Sequence, residues 1–492
     1  MTPVSPDVQR SRKLFAVLTT ALVLITLTGL ASSQIALVKL STDTFTNSSS
    51  QHATEVEPDT FAFGNTIVSA FQVGRIFGGG SSDIGFATST DGGSTWTNGF
   101  LPGITTFFSG GSFSAASDAS VAFDSAHGKW LVASLGLSAN NSVLASSSND
   151  GITWNNPVTV DNKSSFADKD WIACDNNPAS PFFGHCYIEW DDAGLGDQEK
   201  MSTSTDGGQT WSAASQVSGA FGLGGQPVVQ TNGTVVVPFE GNGIQAFSST
   251  NGGTSWGNLK TVSTINDHGV AGSLRTSPLP SADVDNIGTV YVAWQDCRFR
   301  TNCAENDIVF SSSTDGKTWS KVSRIPIDAT TSTVDHFIPG FAVDHTTGGS
   351  TAHLGLTYYF YPVANCTSAT CKLAVGFISS QNAGVTWGAP IRLAGPMHLN
   401  WLPNTSSGLM VGDYISTSYT TGAFGVFAKA NKKTGATFDS AMYTTMTGLE
   451  ALSVGEYSSK YDKPVPNAHS DHGPRQYYDL DNQIPIPPSQ RD

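Results

Sequence analysis

The chain has 492 residues, 51 of them glycine, with only 13% charged side chains and a formal net charge of −15. A pI near 4.9 excludes a surface built to hold nucleic acid or an anionic membrane, since both need basic patches. It also gives no general steering toward an anionic substrate, so any anion site must be local. Abundant glycine with sparse charge fits many short strands and tight turns.

Residues 1–33 read as a secretory signal peptide. Arg10, Arg12 and Lys13 precede an apolar run over residues 14–30, and Ala31-Ser32-Ser33 offers a small-residue cleavage site. An uncleaved membrane anchor through residues 14–30 is the alternative; once the leader is removed, no stable membrane association is expected. The six cysteines agree with export, because they fall into the local pairs Cys174/Cys186, Cys297/Cys303 and Cys366/Cys371. None has zinc-finger spacing, and an even count in an exported chain predicts disulfides. Cys174 and Cys186 bracket a hairpin connection between Trp171-Ile172-Ala173 and Tyr187-Ile188-Glu189-Trp190.

From residue 34 one order recurs: strand, strand, strand, a fixed polar phrase, last strand. In the second unit the strands are Ala119-Ser120-Val121-Ala122-Phe123, Trp130-Leu131-Val132-Ala133-Ser134 and Val143-Leu144-Ala145-Ser146. In the fifth they are Ser281-Ala282-Asp283-Val284, Val290-Tyr291-Val292-Ala293-Trp294 and Ile308-Val309-Phe310. The phrase is fullest in Ser89-Thr90-Asp91-Gly92-Gly93-Ser94-Thr95-Trp96 and recurs six times, ending on Trp96, Trp154, Trp211, Trp256, Trp319 and Trp387. Asn251 and Asn382 replace the Asp in two copies. Steps of 58, 57, 45, 63 and 68 residues leave room for four strands each time. Asp-Gly or Asn-Gly between β-like runs is a hairpin-turn signal. The Thr restarts a strand and the Trp anchors it, so the phrase supports folding rather than catalysis.

A seventh unit has no such phrase: Gly408-Leu409-Met410-Val411, then Tyr414-Ile415-Ser416-Thr417-Ser418-Tyr419, then Phe424-Gly425-Val426-Phe427-Ala428. Pairing of the N-terminal stretch near Asp59-Thr60-Phe61 with this last unit is expected to close the repeat. Residues 449–492 are rich in proline and read as an extended or disordered tail.

The phrase resembles the Asp box of the sialidase-type β-propellers. The resemblance implies an all-β propeller over residues 34–448. Six boxed units and one without a box favour seven blades; six blades, as in familiar sialidases, is the alternative. The box marks architecture and is shared by proteins of unrelated activity.

Sialidases hold a sugar carboxylate on three arginines, use an Asp as acid/base, and attack with a Tyr activated by a Glu, an exception to the two-carboxylate scheme. Guanidinium suits that carboxylate because it pairs bidentately. The resemblance assigns part of this set. Thr66 through Arg75 followed by Asp83 resembles the first-blade stretch, making Arg75 a substrate contact and Asp83 the acid/base. Trp294-Gln295-Asp296-Cys297-Arg298 resembles the segment giving a triad arginine, Arg298. Gly412-Asp413-Tyr414-Ile415-Ser416 resembles the segment with the nucleophile, Tyr414. The sequence departs from the pattern elsewhere. Glu55-Val56-Glu57-Pro58-Asp59 carries no arginine, residues 356–377 hold only Lys372 as a cation, and Gly272-Ser273-Leu274-Arg275 stands where a Glu is expected.

Glu189, Asp191, Asp192, Glu240 and Asp296 end strands and offer carboxylates for glycoside hydrolysis; as turn caps they have no such role. Asp168-Lys169-Asp170-Trp171 and Asp335-His336-Phe337-Ile338-Pro339 resemble segments that open blades in secreted sialidase-like proteins, with polar residues facing the pore. His336, His345 and His353 follow at intervals of nine and eight residues, which match no metal motif. No cofactor is called for, and a structural calcium ion stays open.

The implied function is a secreted sialidase-like glycoside hydrolase, monomeric, acting on terminal sugars of a glycan or polysaccharide. A non-catalytic carbohydrate- or protein-binding propeller is the alternative. A polysaccharide lyase with Tyr414 as base is the second.

Overall fold

The computed structural model describes residues 35–139 and 141–451; the expected leader and nearly all of the expected tail lie outside them. The described chain is almost entirely β, interrupted only by four short 3-10 turns such as Ala193–Leu195 and Leu399–Trp401. Among the described residues no helix is long and apolar enough to cross a membrane.

An eight-stranded antiparallel sheet comes first. It consists of two four-stranded halves joined by one pairing, Ser81 with Ala116. The first half holds Glu55–Phe63, Thr66–Arg75, Ser81–Ser89 and Thr97–Phe100; the second begins at Ala115–Asp124. Four further four-stranded sheets follow in chain order, opening with Ala167–Cys174, Val228–Val229, Ser281–Val284 and Asp335–Val343. The last sheet orders Ser416–Tyr419, Ala423–Ala430 and Ser440–Thr445, and is completed by Leu37–Lys39. Leu37 pairs with Thr445 and Lys39 with Tyr443. This corrects one expectation: the closing strand is Leu37–Lys39, while Asp59, Thr60 and Phe61 pair within the first sheet with Ala70, Ser69 and Val68. Nine near-alternating residues with a hairpin immediately downstream pair locally before they can pair at long range.

The opening strand of each sheet is tied to a neighbour's by side-chain bonds. Asp59 accepts from the Val121 N–H at 2.7 Å and Ser120 from the Ile172 N–H at 3.0 Å. Gln226 accepts from Ala282 N–H, and Asp283 from Val343 N–H. Thr417 donates to the Gly340 carbonyl and Ser416 to that of Thr60. The first and last sheets are thereby joined.

Each polar phrase folds as the turn expected of it. Asp91 accepts from the Thr95 N–H at 2.8 Å and the Thr95 hydroxyl at 2.6 Å, and the Trp96 indole donates to the Gly93 carbonyl at 3.1 Å. Asp206 repeats this with Thr210 and Trp211. At Asn251 and Asn382 the backbone bond survives, and the side-chain bond reverses: the amide donates to Ser255 or Thr386. Asn therefore serves where Asp would. The phrase's glycines let it lie flat on the preceding sheet. Gly208 rests on Leu131, and Gly93 of the first copy rests on Phe424 of the last sheet, where any Cβ would clash.

All three disulfides form as expected, joining Cys174 to Cys186, Cys297 to Cys303 and Cys366 to Cys371. Cys174 and Cys186 are also register partners across the predicted hairpin.

Candidate functional site

The opening strands share an irregularity. Register slips between Val56 and Asp59, Ser117 and Ser120, Asp168 and Trp171, and Phe337 and Pro339. At each slip one residue other than glycine has positive φ: Glu57, Asp118, Lys169 and Ile338 at 55°, 45°, 46° and 50°. Such a conformation costs on the order of 1–3 kcal/mol and persists where its surroundings enforce it. Three of the four are charged, and their side chains meet. Lys169 Nζ lies 3.0 Å from Asp118, 3.5 Å from Glu57 and 2.8 Å from Asp413, all four side chains being buried.

Arg275 completes this hub. Its Nε donates to Asp413 Oδ1 at 2.7 Å while Nη2 bonds Oδ2. Burial alone would raise the Asp413 carboxyl, but Arg275 and Lys169 hold it down to about 2. Glu57 accepts from the Asp413 N–H at 2.9 Å and from the Gln72 amide. Gln72 in turn accepts from Arg75 Nη1 at 2.7 Å. Tyr414 sits beside the hub, its ring 5.8 Å from Lys169 Nζ and edge-on to Trp171 at 5.1 Å. Its hydroxyl donates to the Ala119 carbonyl at 3.4 Å. Burial pushes its pKa well up, helped by the charges of Asp118 and Glu57.

A second set of carboxyls adjoins it on the second sheet. Asp191 faces Glu199 across the strands, with Glu189 two residues along the same face. Burial raises all three, Glu199 to about 7, and repulsion from neighbouring carboxylates adds to it: Glu199 at Glu189, Asp197 and Glu199 at Asp191, and Asp197 at Glu199. The chain at Gly225 passes directly over the Glu189 carboxylate, leaving no room for a Cβ.

Of the four residues assigned by resemblance, Arg75 and Tyr414 join the hub. Asp83 is held separately, accepting from the Ile84 N–H and the Thr105 hydroxyl, and burial lifts its carboxyl to about 8. Arg298 bonds both oxygens of Asp296 and the Thr264 carbonyl, over the face of Trp294. Asp192 accepts from Lys200 at 2.6 Å, and Glu240 from Ser277 at 2.9 Å. Burial lifts Asp335 to about 8, its Oδ1 accepting from the Asn306 N–H. His345 bonds Asp283 at 2.7 Å and His353 lies 3.4 Å from Asp344.

Asp307, Asp328 and His336 converge closely enough to share a metal ion. Arg300 and Arg324 already bridge both carboxylates, at 2.5–2.9 Å. Two guanidinium charges meet the need a cation would fill, so this donor set does not fit a metal. Burial lowers the His336 pKa, which keeps the ring neutral.

The residues that sequence reasoning missed are Glu57, Asp118, Arg275 and Asp413. Glu57 and Asp118 stand near strand openings and Arg275 and Asp413 in connecting segments, and Lys169 in its Asp-Lys-Asp-Trp segment was the one visible sign.

Beside the hub lies a cavity of about 370 Å³, walled by residues from the opening segments of all the sheets. Asp59, Trp171, Gln226, Ser281, Phe341 and Ser416 are among them. Desolvation raises the Asp59 carboxyl to about 7.

No family model matches the sequence, and no curated protein does. Among solved structures, the chain is similar to the NanB sialidase of Streptococcus pneumoniae at 12% identity, over 83% of this chain and 70% of that one, with a TM-score of 0.42. It is similar to a Trypanosoma rangeli sialidase at 10% identity, over 83% and 59% of the two chains, with a TM-score of 0.38. A polysaccharide lyase described as an ulvan lyase matches at 10% identity over 87% of this chain and all of that one, with a TM-score of 0.48. These are likenesses of fold and carry nothing about activity.

Proposed function

We propose that this chain is a secreted, seven-bladed β-propeller of the sialidase type that binds a glycan or polysaccharide without cleaving it. Seven four-stranded sets in chain order, the first and last joined by Ser416 and Thr60 and by Gly93 on Phe424, support the blade count. On this reading residues 34–448 are the propeller, 1–33 a leader and 449–492 a tail. The three disulfides favour export.

One observation carries the functional choice. The groups that sialidase chemistry would turn toward a substrate are engaged inside the protein. Arg75 bonds Gln72, Arg298 clamps Asp296, and Tyr414 turns its hydroxyl to a backbone carbonyl. A guanidinium already forked onto a carboxylate is not offered to a sugar acid, and a phenol whose pKa is pushed up is a poor nucleophile. Incubation with a glycan array, followed by mass spectrometry of the bound sugars, tests this. Intact glycans are expected; a released monosaccharide contradicts the reading.

A hydrolase is the second reading, favoured by Asp83. A carboxyl lifted to about 8 stays protonated at neutral pH, as a general acid must. Arg75 and Arg298 would then touch substrate and Tyr414 would attack. Turnover abolished by Asp83→Asn supports this reading.

A further inference from the structure

The hub and the cavity follow one another along the same opening strands. Glu57, Asp118 and Lys169 stand near the starts of their strands, whereas the cavity is lined by the later residues of the same strands: Asp59 to Ala62, Val121 and Ala122, and Trp171 to Cys174. Its far end carries the exposed residues Pro178 and Asn286. The ion pairs therefore lie toward the strand starts, Tyr414 touches Trp171 at the inner end of the cavity, and the cavity opens toward the later residues of the strands.

We propose that this cavity is a saccharide pocket for an uncharged sugar. The inference rests on the binding reading above and adds the location and the ligand class. The volume lies within the range of small-ligand sites. Trp171 and Phe61 supply apolar ring surface, which suits the apolar face of a pyranose. Polar groups of both kinds converge. The Trp171 indole N–H has no acceptor in the described protein, and Gln226 bonds the Ala282 N–H through Oε1 while its amide N–H groups have none. His345, held on Asp283, adds a further polar group at the open end. The charge of the wall selects against acids. Asp175, Asp283 and Asp285 line the cavity beside the largely protonated Asp59, neither Lys nor Arg does, and the lining base His345 is already paired with Asp283. A sialic acid or uronate carboxylate brought here would meet like charge without a guanidinium to receive it.

Titration calorimetry on the mature chain tests the inference, with neutral disaccharides, sialyllactose, a uronate disaccharide and glucosamine as ligands. Ala62 lines the open end, and Ala62→Trp would obstruct it; Trp171→Phe removes the indole donor. Thermal melts at the wild-type temperature show that the variants are folded. A neutral disaccharide is expected to bind best, at least tenfold more weakly to Ala62→Trp and several-fold more weakly to Trp171→Phe. Preference for an acidic or amino sugar overturns the inference. Undiminished binding by Ala62→Trp moves the site elsewhere and leaves the binding reading intact. No binding of any sugar by the wild type removes the binding reading itself.

Discussion

Lys169 and Asp413 meet at 2.8 Å inside the protein, although one belongs to the opening strand of the second sheet and the other precedes the last. With Glu57, Asp118 and Arg275 they join both halves of the first sheet, the second sheet, and the segments that precede the fourth and the last. The contact needs Lys169 in a backbone conformation that only its surroundings enforce. Charge and bulge together make this a keystone across the axis.

Removing its cation should therefore be severe. Breaking a buried ion pair from one side costs about 3–5 kcal/mol because the partner charge stays buried. Lys169→Met is expected to lower the urea-unfolding free energy by that amount. A loss below about 1 kcal/mol would show the carboxylates to be otherwise compensated.

Stability should fall as pH rises from mildly acidic to mildly alkaline. Burial raises Glu55, Asp59 and Glu199 to about 7, and Asp83 and Asp335 to about 8, against unfolded values of about 4. Between those limits the unfolded chain binds fewer protons than the folded one, so unfolding is favoured by each step up in pH. The stabilising contribution is full below about pH 4 and is lost through pH 7 to 8. Melting temperatures at pH 5, 6.5 and 8 should decline, and less steeply in Asp83→Asn. A rise across that range would contradict the buried placement.

The acid limb has the opposite sign. Hydrogen bonds from Thr95 hold Asp91 down to about 2, and those from Thr318 and Lys317 do the same for Asp315. Their contribution is present above about pH 4 and lost as pH falls through about 2. Because Asn251 and Asn382 make the same turn, Asp91→Asn should keep the neutral-pH melting temperature and soften the acid transition. Asp91→Ala should lower the melting temperature at both.

The Cys174–Cys186 bridge closes a loop across a separation of 12 residues. Chain-entropy reasoning assigns such a loop about 3 kcal/mol. The double Ser variant should lose roughly that much in urea unfolding, with an unchanged far-ultraviolet spectrum. No loss would mean that the paired strands hold the hairpin unaided.

The sequence made the repeat legible because a turn needs particular residues in a particular order. Asp91 with Thr95 and Trp96 behaves as that order dictates, and local cysteine spacing foretold all three bridges. The hub was not legible. Its charges come from segments far apart, and Glu57, Asp118 and Lys169 depend on bulges, which break the alternation that sequence reading relies on. Glu57 reads as one acidic residue before a proline. Arg275 stood where a Glu was expected, and its Asp413 partner lies 138 residues further along the chain. The closing strand, Leu37–Lys39, is three residues long, too short for its period to be seen.

The most direct measurement of the central claim is turnover of aryl sialosides and other aryl glycosides by the mature protein beside its Tyr414→Phe variant. Binding without cleavage predicts no release of the aryl alcohol above background by either protein, on any sugar. Release by the wild type that disappears in Tyr414→Phe would contradict it and restore the hydrolase.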